Sequence, residues 1–136
     1  MSALSADRNT PRVERGTRVF PVAAAAVLFT GAQAALNAAG NAVPVTAAVG
    51  LKGIGRVERR ADNSGGAAGA INVEVTIGTF RFNNSAGGDL ITKADVGADA
   101  YGVDDQTVAK TSGSNTRSVV GKIYDVDDQG VWVTYS

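Results

Sequence analysis

Ile71-Asn72-Val73-Glu74-Val75-Thr76-Ile77 alternates apolar and polar side chains without a break. A period of two sends Ile71, Val73, Val75 and Ile77 to one face and Asn72, Glu74 and Thr76 to the other. That is the pattern of a strand with one side on a core and one in water. Gly78 shifts the phase, after which Phe80 and Phe82 resume the alternation. Turn-forming clusters flank the run: residues 61–70 read ADNSGGAAGA, a flexible loop by composition, and residues 83–89 read NNSAGGD.

Upstream, residues 47–60 alternate apolar with small or polar residues. Val49, Leu51 and Val57 fall on one side of the pleat, Ile54 is out of phase, and glycines at 50, 53 and 55 point to bulges or tight corners. GLKGIG at 50–55 has neither the order of a dinucleotide-binding turn nor the Gly-Lys-Ser/Thr ending of a phosphate loop. Further back, residues 19–22, 26–29, 34–36 and 42–45 read as short strands, with Asn37 to Asn41 forming a hairpin turn between the last two. Pro44 cannot donate to a ladder, so its strand either lies at an edge or ends there. On propensity alone a helix over 23–39 competes with this reading. The same Ala-rich run, with Ala32-Gln33-Ala34 resembling a cleavage site, also imitates a signal peptide. Pro21, Thr30-Gly31 and Gln33 interrupt it, and Asp7 and Glu14 sit where export signals avoid acids.

Downstream, Tyr101-Gly102-Val103-Asp104-Asp105-Gln106-Thr107-Val108 repeats as Tyr124-Asp125-Val126-Asp127-Asp128-Gln129-Gly130-Val131. Each copy predicts a hairpin, with Tyr and Val on one face of the entering strand and Asp-Asp-Gln-x as the reversal. Aspartates suit such turns because their carboxylates accept from the backbone N–H two residues on. The competing reading is a calcium site at these clustered oxygen donors, but neither copy has EF-hand spacing. In the closing strand Val131, Val133 and Tyr135 share one face and Trp132 takes the other. Trp132 and Tyr135 are the candidates for a subunit interface, with the core as the alternative place for Trp132.

Composition narrows the function classes. The chain has 136 residues, no Cys and no His. It therefore lacks thiol nucleophiles, the usual zinc and iron ligands and the commonest near-neutral general base. No catalytic constellation is legible, and no cofactor or metal is expected. One modest core, rich in alanine, is expected, and partner copies are the remaining way to reinforce it. Residues 1–60 carry eight Lys or Arg against three acids, and residues 61–136 carry five against ten, about +5 and −5. This asymmetry suits protein contacts more than nucleic acid. Residues 1–18 are polar, without either period, and carry Arg8, Arg12, Arg15 and Arg18, which reads as an extended arm preceding a β domain over 19–136.

With these elements in place, the chain resembles the head-decoration, or capsid cement, proteins of tailed bacteriophages. The resemblance is carried by FPVAAAAVLFTGAQAALNAAGNAVPV at 20–45, GLKGIGRVER at 50–59, ITKADVGADAYGVDDQTVAKTSG at 91–113 and GKIYDVDDQGVWVTY at 121–135. It implies a small all-β barrel or sandwich of short antiparallel strands that binds the major capsid protein on the outer surface of the virion and strengthens the shell. It also implies a symmetric homo-oligomer, for which a trimer suits threefold lattice sites. On this reading the four arm arginines contact the partner, and neither nucleic acid nor a membrane is involved. The rival expectation is an exported surface- or carbohydrate-binding module with residues 1–34 as its signal.

Overall fold

The computed structural model describes residues 2–11 and 16–136. Twelve strands follow one another: β1 (Thr17–Pro21), β2 (Val27–Leu28), β3 (Gln33–Leu36), β4 (Ala42–Pro44), β5 (Lys52–Val57), β6 (Ala61–Asp62), β7 (Asn72–Thr76), β8 (Gly78–Phe82), β9 (Asp99–Asp104), β10 (Thr107–Ala109), β11 (Val119–Asp127) and β12 (Gly130–Tyr135). Two short 3-10 turns, Gly87–Asp89 and Lys93–Asp95, lie between β8 and β9. The fold is all-β and every strand ladder is antiparallel.

One five-stranded sheet has the order β1-β7-β5-β3-β4, a second has β10-β9-β11-β12-β8, and β2 pairs with β6 beside them. Each large sheet curls until its edges meet. Val22, just past β1, makes a parallel bridge to Ala42 of β4, and Asn83, just past β8, makes one to Thr107 of β10. The closures are hydrogen-bonded: the Ala23 N–H donates to the Ala42 carbonyl at 3.0 Å and the Asn83 N–H to the Gln106 carbonyl at 2.8 Å. Bringing edges together in this way hides strand edges that would otherwise template aggregation.

The run at 71–82 passes through both sheets, as β7 in the first and β8 in the second. Gly78, at φ 146°, sits where the chain changes sheet and the alternation changes phase. Val73 and Val75 face one core and Phe82 faces the other.

A single core was expected, and two are present. The first gathers Val22, Leu28, Ala34, Ile54, Val57, Val73 and Val75, and the second Val45, Phe82, Ile91, Val108, Ile123, Val131, Val133 and Tyr135. Strand β3 is the wall between them: Ala34 belongs to the first core and its neighbour Ala35 to the second. This decides the Ala-rich segment in favour of strands over the competing helix. Small side chains on both faces of a shared wall let two cores close on it, and tertiary packing outweighs the helix propensity of alanine.

Glycine does the same work between β5 and β11. A methyl group built on Gly53 would run into the backbone carbonyl of Val120. Ile54, out of phase in the sequence, is the extra residue of a bulge, because Ala34 pairs with Gly55 and Ala35 with Gly53. Val49 departs from expectation: it precedes β5, beyond the turn at Gly50 (φ 79°), and is exposed. The loop at 61–70 begins with β6 and is pinned by Asn63, whose amide donates to the Ala23 and Ala67 carbonyls at 2.9 and 3.0 Å.

Candidate functional site

The arm comes first in the chain. Residues 2–11 form no strand or helix and every one of them is exposed, Arg8 included. Arg12 and Arg15 lie outside the described residues. Arg18 does not belong to an arm: β1 begins at Thr17, Arg18 pairs with Val75, and its guanidinium lies 4.7 Å from the centroid of the Phe20 ring. An edge strand therefore takes over directly where the arm was expected to continue.

The two interface candidates part ways. Tyr135 is a core residue, 1% exposed, so the expectation of an interface role is corrected. Its hydroxyl donates to Gln33 Oε1 at 2.6 Å, and Gln33 Nε2 donates to the carbonyls of Asp104 and Thr107 at 2.7 and 3.0 Å. Burial pushes the Tyr135 phenol far above its ordinary value, so it stays a neutral donor. Together the two side chains lock the shared wall β3 to the β9–β10 hairpin. Trp132 lies on the outer face of β12, opposite Arg81, with the arginine 5.6 Å from its ring. Its indole N–H donates to Asp127 Oδ2 at 2.9 Å. Tyr124, 65% exposed, and Val119, 40% exposed, add to the outward side of the same sheet.

Both Asp-Asp segments form hairpin turns. The first carboxylate of each accepts from the N–H two residues on, Asp104 from Gln106 at 2.9 Å and Asp127 from Gln129 at 2.8 Å. The Trp132 indole and the Gln129 N–H hold the Asp127 carboxyl below the usual range. Hydrogen bonds from Lys93, Thr111 and the Thr92 N–H do the same for Asp125, Asp89 and Asp95. Among the described residues no three metal-ligating side chains converge, and no helix is long and apolar enough to cross a membrane.

A cleft of about 490 Å³ opens where the two curled sheets meet, a place the sequence did not single out. Its walls come from three segments far apart in the chain. These are the β2–β3 turn with Phe29 and Thr30, the end of β8 with Arg81 and Asn83, and the β9–β10 hairpin tip with Asp105 and Gln106. Phe29 is 52% exposed, and the Arg60 guanidinium rests 5.2 Å from its ring. The sequence signal was an aromatic residue placed just before Thr30-Gly31, where a turn keeps it at the surface. Comparison of the chain with protein-family models, curated proteins and solved structures found no match.

Proposed function

We propose that this chain is a capsid decoration protein, which binds the outer surface of an assembled phage head through its N-terminal arm and reinforces the shell. The observation that supports this most is the arm itself: residues 2–11 are exposed throughout and precede an edge strand of a compact β body. A small body with two cores rich in alanine and valine suits a structural role. The exposed residues 2–11 with Arg8, followed in the sequence by Arg12 and Arg15, suit docking on a protein surface, by pairing with carboxylates or by adding a strand. On a repetitive lattice, individually weak contacts add up through avidity. The major capsid protein is the partner, and further copies of the chain associate through the outer face that carries Trp132, with a trimer favoured by threefold lattice sites.

The test is co-sedimentation with capsids assembled without the protein, comparing the full chain with one starting at Gly16. Saturable binding by the full chain, weakened at least tenfold by loss of the arm, is the expected result. If neither chain binds, decoration is wrong, and an exported module with residues 1–34 as a signal becomes the reading to pursue. The intact mass of the secreted or retained protein decides that alternative.

A further inference from the structure

We infer that the cleft between the two sheets is a binding site for a neutral glycan. This goes beyond the decoration reading and does not depend on it. Five polar side chains line the cleft, those of Thr30, Arg81, Asn83, Asp105 and Gln106, and the Thr30 hydroxyl already accepts from the Arg60 backbone N–H at 3.0 Å. Among the described residues, Asn83, Asp105 and Gln106 make no side-chain hydrogen bond or ion pair within the protein, and Arg81 makes neither, though it stacks on Trp132 and its charge helps to hold the Asp127 carboxyl low. The backbone beneath them is tied into the fold. The Gln33 N–H donates to the Asp105 carbonyl at 2.9 Å, the Asn83 N–H to the Gln106 carbonyl at 2.8 Å and the Val108 N–H to the Asn83 carbonyl at 3.0 Å. The fixed walls lower the ordering cost of taking a ligand, and the uncommitted side chains keep their hydrogen-bonding groups available to it.

The lining selects the ligand class. A pyranose offers an apolar C–H face and a rim of hydroxyls that both donate and accept. Phe29, still half exposed with Arg60 holding one side, supplies an apolar ring for such a face. The Asn83 and Gln106 amides each present a donor and an acceptor, Asp105 accepts, and Arg81 donates, which together match vicinal hydroxyls. Arg81 and Asp105 carry opposite charges, and Arg60 has Asp62 at 3.7 Å, so the cleft favours neither an anion nor a cation. A peptide is a poorer fit. Extended peptides dock on free strand edges, and the backbone N–H groups of Gly31, Gln33 and Asn83 at this cleft are already used. The volume lies within the roughly 300–1,000 Å³ of small-molecule sites.

The experiment applies the purified full chain to an array of neutral, sialylated and sulfated oligosaccharides. Each hit is then titrated by calorimetry into the parent, Phe29→Ala, Asp105→Asn and, as a control outside the cleft, Tyr124→Ser. We expect at least one neutral glycan to bind. Its affinity should fall at least tenfold in both cleft variants, with unchanged melting temperatures, and stay at the parental level in Tyr124→Ser. In the parent protein itself, amide NMR shifts on saturation should be confined to residues 29–32, 81–83 and 105–106. Failure of every neutral glycan to bind, binding only to anionic glycans, or affinity unaffected by both cleft variants would overturn the inference. It would equally be overturned if a synthetic peptide of residues 2–18 shifted those amides and no glycan displaced it, which would make the cleft a seat for the arm.

Discussion

At the scale of single residues, Gln33 and Tyr135 show how one polar pair holds two cores in register. The Gln33 amide uses both of its donors on the β9–β10 hairpin and receives the Tyr135 hydroxyl, with the Gln33 and Tyr135 side chains both buried. Tyr135→Phe leaves a buried carbonyl oxygen without a donor, a loss of about 1–3 kcal/mol in urea unfolding. The pair Gln33→Leu with Tyr135→Phe should cost less than the sum of the two single changes, because the second no longer strands a partner. Ionisation adds an alkaline limit. The phenol is raised in the folded state, so its contribution is intact below about pH 10, the unfolded value, and is lost above it. Gly53 makes the complementary point about space: Gly53→Ala forces a methyl against the Val120 backbone and should cost about 1–3 kcal/mol by the same measurement. Neither role was legible in advance. Gln33 read as an interruption of an apolar run, and Gly53 as one of three glycines suggesting bulges. Their meaning depends on which segment of the chain lies opposite.

At the scale of elements, the hairpins were the most readable part of the chain, because turn chemistry is local. The Asp at the head of each reversal binds the N–H two residues on, as the repeat foretold. The strand faces were less readable. In β9, Tyr101 and Val103 do lie on the same side, between buried Ala100 and Gly102. In β11 the register slips between Ile123 and Asp125, Tyr124 is pushed out, and Val126 turns inward. A bulge is written in the pairing of two strands and leaves no mark in the pattern of one. The two turns should respond differently to truncation. Asp104→Ala removes one exposed turn contact, at about 0.5–1.5 kcal/mol. Asp127→Ala also frees the Trp132 indole, so it should destabilise more and shift the tryptophan fluorescence. Acid acts on the same elements. Asp89, Asp95, Asp125 and Asp127 are held below their unfolded values, so their contribution is complete above about pH 4 and disappears as pH falls through the lower folded values. The melting temperature should be flat from neutral pH to about 5 and drop below about 4, with the near-ultraviolet signal of Trp132 lost early.

At the scale of the whole molecule, the charge asymmetry seen along the chain follows the division into two curled sheets. Residues 16–77 hold five Lys or Arg and three acids, and residues 78–136 hold five and eight. The all-β class and most strand positions followed from period and turn residues. The split into two cores did not, because the shared wall is built of alanines whose partners lie elsewhere in the chain. For the same reason the junctional cleft was invisible: Phe29, Arg81 and Asp105 become neighbours only when β3 is clamped to the β9–β10 hairpin. We propose that the two-core body is held on the shell by the exposed segment that precedes it, and this is the central claim. Its most direct test is the heat resistance of capsids assembled without the protein, measured by calorimetry after saturation with the full chain or with the chain starting at Gly16. The account predicts that the shells melt at a higher temperature only with the full chain. Equal stabilisation by both chains would place the cementing contacts in the β body, and no stabilisation by either would contradict the proposed function.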